Sequence, residues 1–295
     1  MTVDLSAAAA FLAGSARVLD RRRFDLLFDG GEVAPVLAAV DGYRNADSGY
    51  GWGLEPDLRS RTSQPGGALH AFEVFVDVGP EASDRAVQLC DWLASVALPD
   101  GGLPFALPVP DPAACAPFWT GADPTVSSLQ ITGIVAAAAH RAAARIPAVA
   151  AHPWLATATG YCVTAIRGWG SAPHAMELAF GVQFLDAAAG VRPDVPEVLD
   201  ALRPYVPADG LLHVTGGAVD EYMRPLDFTP LPGGPARTLF DRGVVDAELR
   251  HLAEAQLPDG GWPVDFDSYS PAATLEWRGH RTVQALLLLR DNGAL

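Results

Sequence analysis

Five carboxylates stand in polar loops, each of which leads into an apolar stretch of the chain. They are Glu55, Asp57, Asp227, Asp265 and Asp267. Burial disfavours the charged form of a carboxylic acid, so an acid in apolar surroundings keeps a proton that it can donate to an alkene or an epoxide. The same acids could instead cap helices or pair with arginines. We expect them to supply the catalytic group, with Asp265 and Asp267 favoured because both lie on one side of an extended loop.

Aromatic and guanidinium side chains accompany these acids and are the candidates for binding a substrate. They are Trp52, Trp119, Trp169, Trp277, Arg59, Arg61 and Arg278. Indole rings stabilise carbocations by cation–π contact, and arginines bind a diphosphate through two parallel hydrogen bonds. Alternatively, the tryptophans fill the core and the arginines pair with neighbouring acids. Because the protein is acidic, a diphosphate substrate would bring Mg²⁺ with it, and no other cofactor is indicated.

Two histidines stand one helical turn before a glutamate, at the spacing of a metal-ligand or acid–base pair. The pairs are His70 with Glu73 and His174 with Glu177. Since no His-Glu-x-x-His motif or further histidine cluster supports a metal, we expect both histidines to be structural, and no metal site is predicted.

The amino-acid composition excludes several classes of binding partner and of chemistry. The 295 residues carry a net charge of −15, which opposes binding to nucleic acid or to an anionic membrane. All 20 basic residues are arginines, and this excludes Schiff-base lysines and a Walker phosphate loop. Three separated cysteines, the lack of a signal peptide and the lack of a long apolar run predict a soluble cytoplasmic protein without stable membrane insertion. The oligomeric state is left open.

A short turn motif recurs along the chain. Ungapped copies are 45–50, 97–104 and 256–263, and a weaker copy is 208–211. Each copy follows an amphipathic stretch and precedes a Pro-rich loop and a new helix. Apolar periodicity predicts helices near 5–13, 15–28, 31–43, 65–78, 84–97, 124–144, 152–167, 173–188, 194–206, 235–241, 244–256 and 276–291. Helices apolar on most faces alternate with helices that carry charged stripes, so we expect inner and outer helices in one domain, 1–295.

The pattern Leu252-x-x-x-Gln256-x-x-x-Gly260-x-Trp262 resembles the Gln-Trp repeat of squalene-hopene and oxidosqualene cyclases. The segments 43–45, 53–59 and 225–228 resemble a group of actinobacterial proteins of the same prenyltransferase/squalene-cyclase repeat class. The resemblance implies an all-α fold, a single α/α toroid (α6/α6 barrel) of alternating inner and outer helices, with a central cavity for a small apolar or isoprenoid substrate. It further implies a terpenoid-cyclase-like protein, with acid-initiated cyclisation as the reaction.

The sequence departs from the motifs of the known enzymes of this class. Asp265-Phe266-Asp267-Ser268 lacks the last Asp of the Asp-x-Asp-Asp acid motif, and Asp-Asp-x-x-Asp and Asp-x-Cys motifs are absent. Two other functions therefore stay open. One is a carbohydrate-active toroid enzyme with paired carboxylates, and the other is a binding module without catalysis.

Overall fold

The computed structural model of the protein describes residues 3–295 and is mostly helical, with 58% helix and 3% strand. The predicted all-α class is confirmed, whereas closure into a toroid stays a prediction. Among residues 3–295, no helix is both long and apolar enough to cross a bilayer.

The α-helices follow one another along the chain with short connections between most of them. They are α1 Leu5–Ser15, α2 Val18–Phe28, α3 Val33–Asp41, α4 Pro65–Val78, α5 Ser83–Val96, α6 Pro117–Thr120, α7 Leu129–Ala143, α8 Pro147–Ala150, α9 Pro153–Arg167, α10 Ala175–Ala188, α11 Val195–Leu202, α12 Pro225–Phe228, α13 Arg242–Glu254 and α14 Pro271–Asp291. Short 3-10 helices cover Gly79–Ala82, Arg203–Tyr205 and Pro235–Leu239. One antiparallel hairpin joins β1 Leu212–His213 to β2 Tyr222–Met223.

Three predicted helix starts were wrong, each for a local reason. Helix α2 begins at Val18 instead of residue 15, because α1 extends to Ser15 and the chain becomes extended at Ala16. Helix α7 begins at Leu129 instead of residue 124, and its N-cap is Ser128. Helix α14 begins five residues before the predicted start, after the capping hydroxyl of Ser270.

Residues 32–171 form one compact unit, here called unit 2. Helix α4 packs on α7, and α7 packs on α9, while α3 and α5 contact α4. Eleven of the 15 residues of α7 are buried, as expected of a helix that is apolar on most faces.

Residues 3–31 and 172–295 belong to the other compact unit, unit 1. Helix α10 packs on α11 and α12, α13 contacts both α12 and α14, and α14 packs on α1 and α2. Helix α13 buries only Val245, Glu248 and Leu252, as expected of a helix with a charged stripe on its exposed side. The prediction of a single domain stays a prediction.

The three clear copies of the turn motif share one backbone hydrogen-bond pattern. In unit 2, the Leu98 amide donates to the Gly102 carbonyl (2.8 Å), and the Gly102 amide donates to Asp100 Oδ1 (3.1 Å). In unit 1, the Leu257 amide donates to the Gly261 carbonyl (2.9 Å), and the Gly261 amide donates to Asp259 Oδ1 (3.1 Å).

The first copy, at 45–49, has the same two bonds, with Asp47 Oδ1 accepting from the Gly49 amide at 3.0 Å. The residue after the Asp has a left-handed φ in every clear copy, 72° at Ser48, 90° at Gly101 and 91° at Gly260. The sequence repeat is therefore a structural repeat.

The residue that follows the second and the third turn, Leu103 or Trp262, is a buried plug that fills the space between the turn and the next helix. Trp262 is 1% exposed, its amide donates to Thr282 Oγ1 (3.0 Å), and its indole Nε1 donates to the Leu252 carbonyl (2.8 Å). Leu103 is fully buried, and its amide donates to Thr132 Oγ1 (2.8 Å). Each plug thus ties its turn to the helix that follows.

Candidate functional site

A buried histidine lies between two glutamates in unit 2. Helix α4 carries His70 and Glu73 one turn apart, and His70 Nδ1 is 2.9 Å from Glu73 Oε2. The other ring nitrogen, Nε2, is 2.9 Å from Oε2 of Glu55, which lies in the loop before α4. The side chains of His70 and Glu55 are almost wholly buried, and that of Glu73 less so.

This arrangement favours a protonated imidazole. Burial alone lowers the pKa of His70, but the charge of Glu73 and the hydrogen bonds to both glutamates outweigh it and raise the pKa to about 9. An imidazolium donates through both nitrogens, which matches a carboxylate on each side. The predicted His70–Glu73 pair is present, and the Glu55 partner is an addition that the sequence did not indicate.

Glu55 and Asp57 are both buried in the loop before α4. The Asp57 amide donates to Glu55 Oε1 at 3.2 Å, and the Asp57 carbonyl accepts from the Ala116 amide at 2.8 Å. Both carboxylate oxygens of Glu55 are therefore engaged, one with its own loop and one with His70. The side chain of Arg59 packs against Gly53.

Three aromatic rings pack together in unit 2 beside Glu55. Trp119 is 7% exposed and stacks on Phe105 with ring centroids 4.5 Å apart, while Phe118 is 5.5 Å from Trp119 and half exposed. The helix residue Gly66 leaves room for both Trp119 and the Glu55 side chain, since an added Cβ would lie within 3.4 Å of each. The Trp119 ring is thus largely a core residue.

Trp52 lies on the surface of unit 2 with a left-handed backbone, φ 58°. Its Nε1 donates to Asn45 Oδ1 (2.8 Å), and the guanidinium of Arg61 lies 5.5 Å from the ring centre. A bulky residue seldom adopts this backbone conformation, and the Asn45 and Arg61 side chains are the described contacts of the Trp52 ring. Trp169, just after α9, is half-buried.

In unit 1, Asp227 lies at the third position of the short helix α12. Its Oδ2 accepts from the Arg224 amide at 2.8 Å, and its carbonyl accepts from Gln183 Nε2 at 2.7 Å. Asp227 thus caps its own helix through one oxygen, while Oδ1 accepts no hydrogen bond from residues 3–295.

Burial raises the pKa of Asp227, against the lowering effect of the Arg281 charge and of the Arg224 amide. The nearby carboxylates of Asp265 and Glu248 raise it further. Glu248 is itself paired, because Arg224 donates from Nε and Nη2 to its two oxygens, both at 2.8 Å. Neither Arg224 nor Glu248 was predicted from the sequence.

Asp265 and Asp267 are exposed, and the residue between them, Phe266, packs edge-on against Trp277 with centroids 5.2 Å apart. Asp265 lies close enough to contribute to the pKa of Asp227. The structure therefore brings Asp227, Asp265 and Arg281 into one electrostatic neighbourhood of unit 1.

Arg278, predicted to bind substrate, is engaged in the last turn motif. Its Nη2 is 2.8 Å and 2.9 Å from the two carboxylate oxygens of Asp259, and its Nε donates to the Trp262 carbonyl at 3.3 Å. Arg278 therefore pairs with an acid, which is the alternative to substrate binding that the sequence left open. His174 is also engaged: its Nε2 donates to the Thr215 carbonyl (3.0 Å), and its Nδ1 accepts from the Met176 amide.

The five predicted acids divide between the two units, with Glu55 and Asp57 in unit 2 and Asp227, Asp265 and Asp267 in unit 1. Convergence of all five on one mouth stays a prediction. The segment Arg224-Pro225-Leu226-Asp227 could have predicted the short helix that holds Asp227. It has proline at the first helical position and a carboxylate two residues later. The chain matches no known protein-family model and no curated protein sequence.

Proposed function

We propose that this chain is a terpenoid-cyclase-like enzyme of the α/α-toroid class that starts the cyclisation of an apolar isoprenoid by protonation, with Asp227 as the acid. The observation that carries the proposal is the state of Asp227, whose pKa is raised by burial and whose Oδ1 is unoccupied by other groups of residues 3–295. A raised pKa favours the protonated form of the acid, which is the form that can donate a proton to a substrate.

The proton transfer is simple in outline. The O–H bond at Asp227 Oδ1 breaks while a C–H bond forms at an alkene carbon, or an O–H bond forms at an epoxide oxygen. The resulting cation is quenched when it loses a proton or gains water, and a proton from solvent restores the acid. Asp227 is flanked in sequence by the buried apolar residues Leu226 and Phe228, in keeping with an apolar substrate.

Two neighbours fit supporting roles in this reaction. The Arg224 amide holds Oδ2 at 2.8 Å and so leaves Oδ1 as the donating oxygen. Arg281 carries the positive charge that stabilises the carboxylate left behind, because it lowers the pKa of Asp227. Asp265 acts in the opposite sense.

The test is turnover of defined substrates by the purified protein. A C15 or longer polyprene, its terminal epoxide, and its diphosphate with and without Mg²⁺ would each be incubated, and products analysed by gas chromatography with mass spectrometry. We expect a cyclised product, reduced about 10²-fold or more by Asp227→Asn, since this is the usual contribution of a general acid. The Asn side chain retains an oxygen for the Arg224 amide, so the melting temperature should change little.

The matched control is Asp241→Asn, which alters an exposed acid at the start of α13 that makes no capping hydrogen bond. Equal turnover by wild type and Asp227→Asn would leave Asp227 as a helix cap only. Tight binding of the polyprene without any product would favour the binding-module alternative.

A further inference from the structure

A buried carboxylate interrupts the apolar face of helix α13. The residues that α13 buries are Val245, Glu248 and Leu252, which stand three and four positions apart and therefore share one face of the helix. Glu248 is only 8% exposed, although the other two residues of this face are apolar. A charge in such a place costs free energy unless a partner compensates it. Apolar packing therefore does not explain why an acid stands here.

The partner of Glu248 is Arg224, the residue directly before α12. Arg224 Nε donates to Glu248 Oε1 and Nη2 donates to Oε2, both at 2.8 Å, so the guanidinium is held by two parallel hydrogen bonds. Apolar side chains of similar volume often stabilise a protein as well as a buried ion pair does. The pair therefore points to a role in the site more than to a role in stability.

This pair lies beside the proposed acid. Helix α13 packs on α12, and the Arg224 amide donates to Asp227 Oδ2 at 2.8 Å. The hydrogen bond to Glu248 is the main cause that raises the pKa of Arg224, and the charge of Asp227 adds to it. Burial is the main cause that raises the pKa of Asp227, and the charge of Glu248 adds to that. Glu248, Arg224 and Asp227 thus form a row from α13 to α12.

The other charged groups around Asp227 oppose each other. Arg281, on α14, lowers the pKa of Asp227, whereas Asp265, in the loop before α14, raises it. Helix α10, which also packs on α12, contacts Asp227 through the neutral side chain of Gln183, whose Nε2 donates to the Asp227 carbonyl at 2.7 Å. Since the ion pair described above is neutral as well, these charged groups leave no net charge around a protonated Asp227.

We propose that Glu248 is a positioning residue for the acid: it clamps and neutralises the Arg224 guanidinium, so that Arg224 acts on Asp227 only through its backbone amide. This inference rests on the function proposed above. Without Glu248, an unpaired guanidinium near Asp227 would favour the carboxylate over the acid. The proton that the reaction needs would then pass to solvent at a lower pH.

NMR spectroscopy of the full-length protein, labelled with ¹³C at the aspartate carboxyl carbons, tests this without a substrate. The Asp227 signal is the one that is missing from Asp227→Asn. We expect Glu248→Gln to move the titration midpoint of this signal to lower pH by about 1 pH unit, because one negative charge is lost and one positive charge is left unpaired near a buried carboxylate. Arg224→Gln should move the midpoint to higher pH.

The double variant Arg224→Gln/Glu248→Gln removes both charges at once and leaves no unpaired ion in the interior. Its midpoint should return close to that of the wild type, which damage to the packing would not achieve. Glu248→Asp keeps the charge on a shorter side chain and should restore part of the wild-type behaviour. The matched control is Glu254→Gln, which removes the same charge from an exposed position of α13 and should titrate like the wild type.

The same titrations separate this inference from the proposed function. A wild-type Asp227 that titrates as an ordinary aspartate would count against its role as the acid, yet a lower midpoint in Glu248→Gln would still support the clamp. In turnover assays, the pH above which product formation falls should move together with the Asp227 midpoint.

An Asp227 midpoint that is the same in the wild type, Glu248→Gln and Arg224→Gln would overturn the proposal. Should Glu248→Gln fail to fold, the other two variants decide the outcome. A double variant whose midpoint stays as far from the wild type as that of Arg224→Gln would then show that Glu248 does not act through the Arg224 charge.

Discussion

At the residue scale, His70 links folding of the protein to pH. Its pKa is about 9 in the folded protein and 6.5 in an unfolded chain. Burial lowers this pKa, but the two glutamates raise it by more. A histidine with a raised pKa contributes its stabilisation fully below pH 6.5 and loses it as pH rises through 9. The contribution is of the order of 3 kcal/mol.

We therefore expect the free energy of unfolding to fall between pH 6.5 and 9 in the wild type, and much less in His70→Gln. Denaturation by urea at several pH values, followed by circular dichroism, measures this. His140→Gln is the comparison, because burial lowers the pKa of His140 and removes it from this pH window. Parallel pH curves for wild type and His70→Gln would show that the imidazole is not charged in the fold.

The sequence indicated only part of this residue-scale arrangement. The i, i+3 spacing of His70 and Glu73 is visible in any helix, and their contact follows from helix geometry. Glu55 is 15 residues earlier, and its approach depends on how a loop without regular structure folds back on α4. No periodicity encodes such a contact. The same reason hid the pairing of Arg224 with Glu248, 24 residues apart.

At the element scale, the plug residues attach each turn to the helix that follows it. Trp262→Ala should destabilise the protein by about 3–5 kcal/mol, and Leu103→Ala by about 2–5 kcal/mol, because both remove large buried side chains and leave cavities. Urea denaturation measures both. The exposed Leu275, on α14, is a suitable control, and Leu275→Ala should have little effect. A small change for Trp262→Ala would mean that the turn is held by its backbone hydrogen bonds alone.

Elements were predicted best where proline and glycine mark their ends. Helix α4 was predicted at 65–78 and is found there, with Pro65 at its first position and Gly79, φ 79°, directly after its end. Helix α7 was misplaced because Asp123-Pro124 looks like a helix start. Asp123 instead accepts from the amide and hydroxyl of Thr125 in a local turn, and Ser128 supplies the cap.

At the scale of the whole chain, the two ends of the sequence meet within unit 1. Asp4 and Gln256 exchange two hydrogen bonds of 2.8 Å, although they are 252 residues apart. Apolar periodicity predicted a helix near 5–13. It could not predict what this helix packs against, because periodicity reports only local geometry. The turn repeat held the missing information, since the second turn contacts α9 through Gly101 and the last turn contacts α1 through Gly260.

The contact between α1 and the last turn gives the final prediction. Phe11 is buried under the Arg278 guanidinium, and Gly260 approaches the Ala7 carbonyl so closely that an added Cβ would overlap with it. Phe11→Ala should lower the free energy of unfolding by about 3–5 kcal/mol, whereas Leu5→Ala, at an exposed position of the same helix, should lower it little.

Removal of residues 1–16 should destabilise the protein at least as much as Phe11→Ala. A synthetic peptide of residues 3–16 should restore part of the lost stability when it is added to the truncated protein. Denaturation midpoints with and without the peptide decide the outcome. A truncated protein with the wild-type midpoint would show that α1 is dispensable and that the last turn needs no helix packed against it.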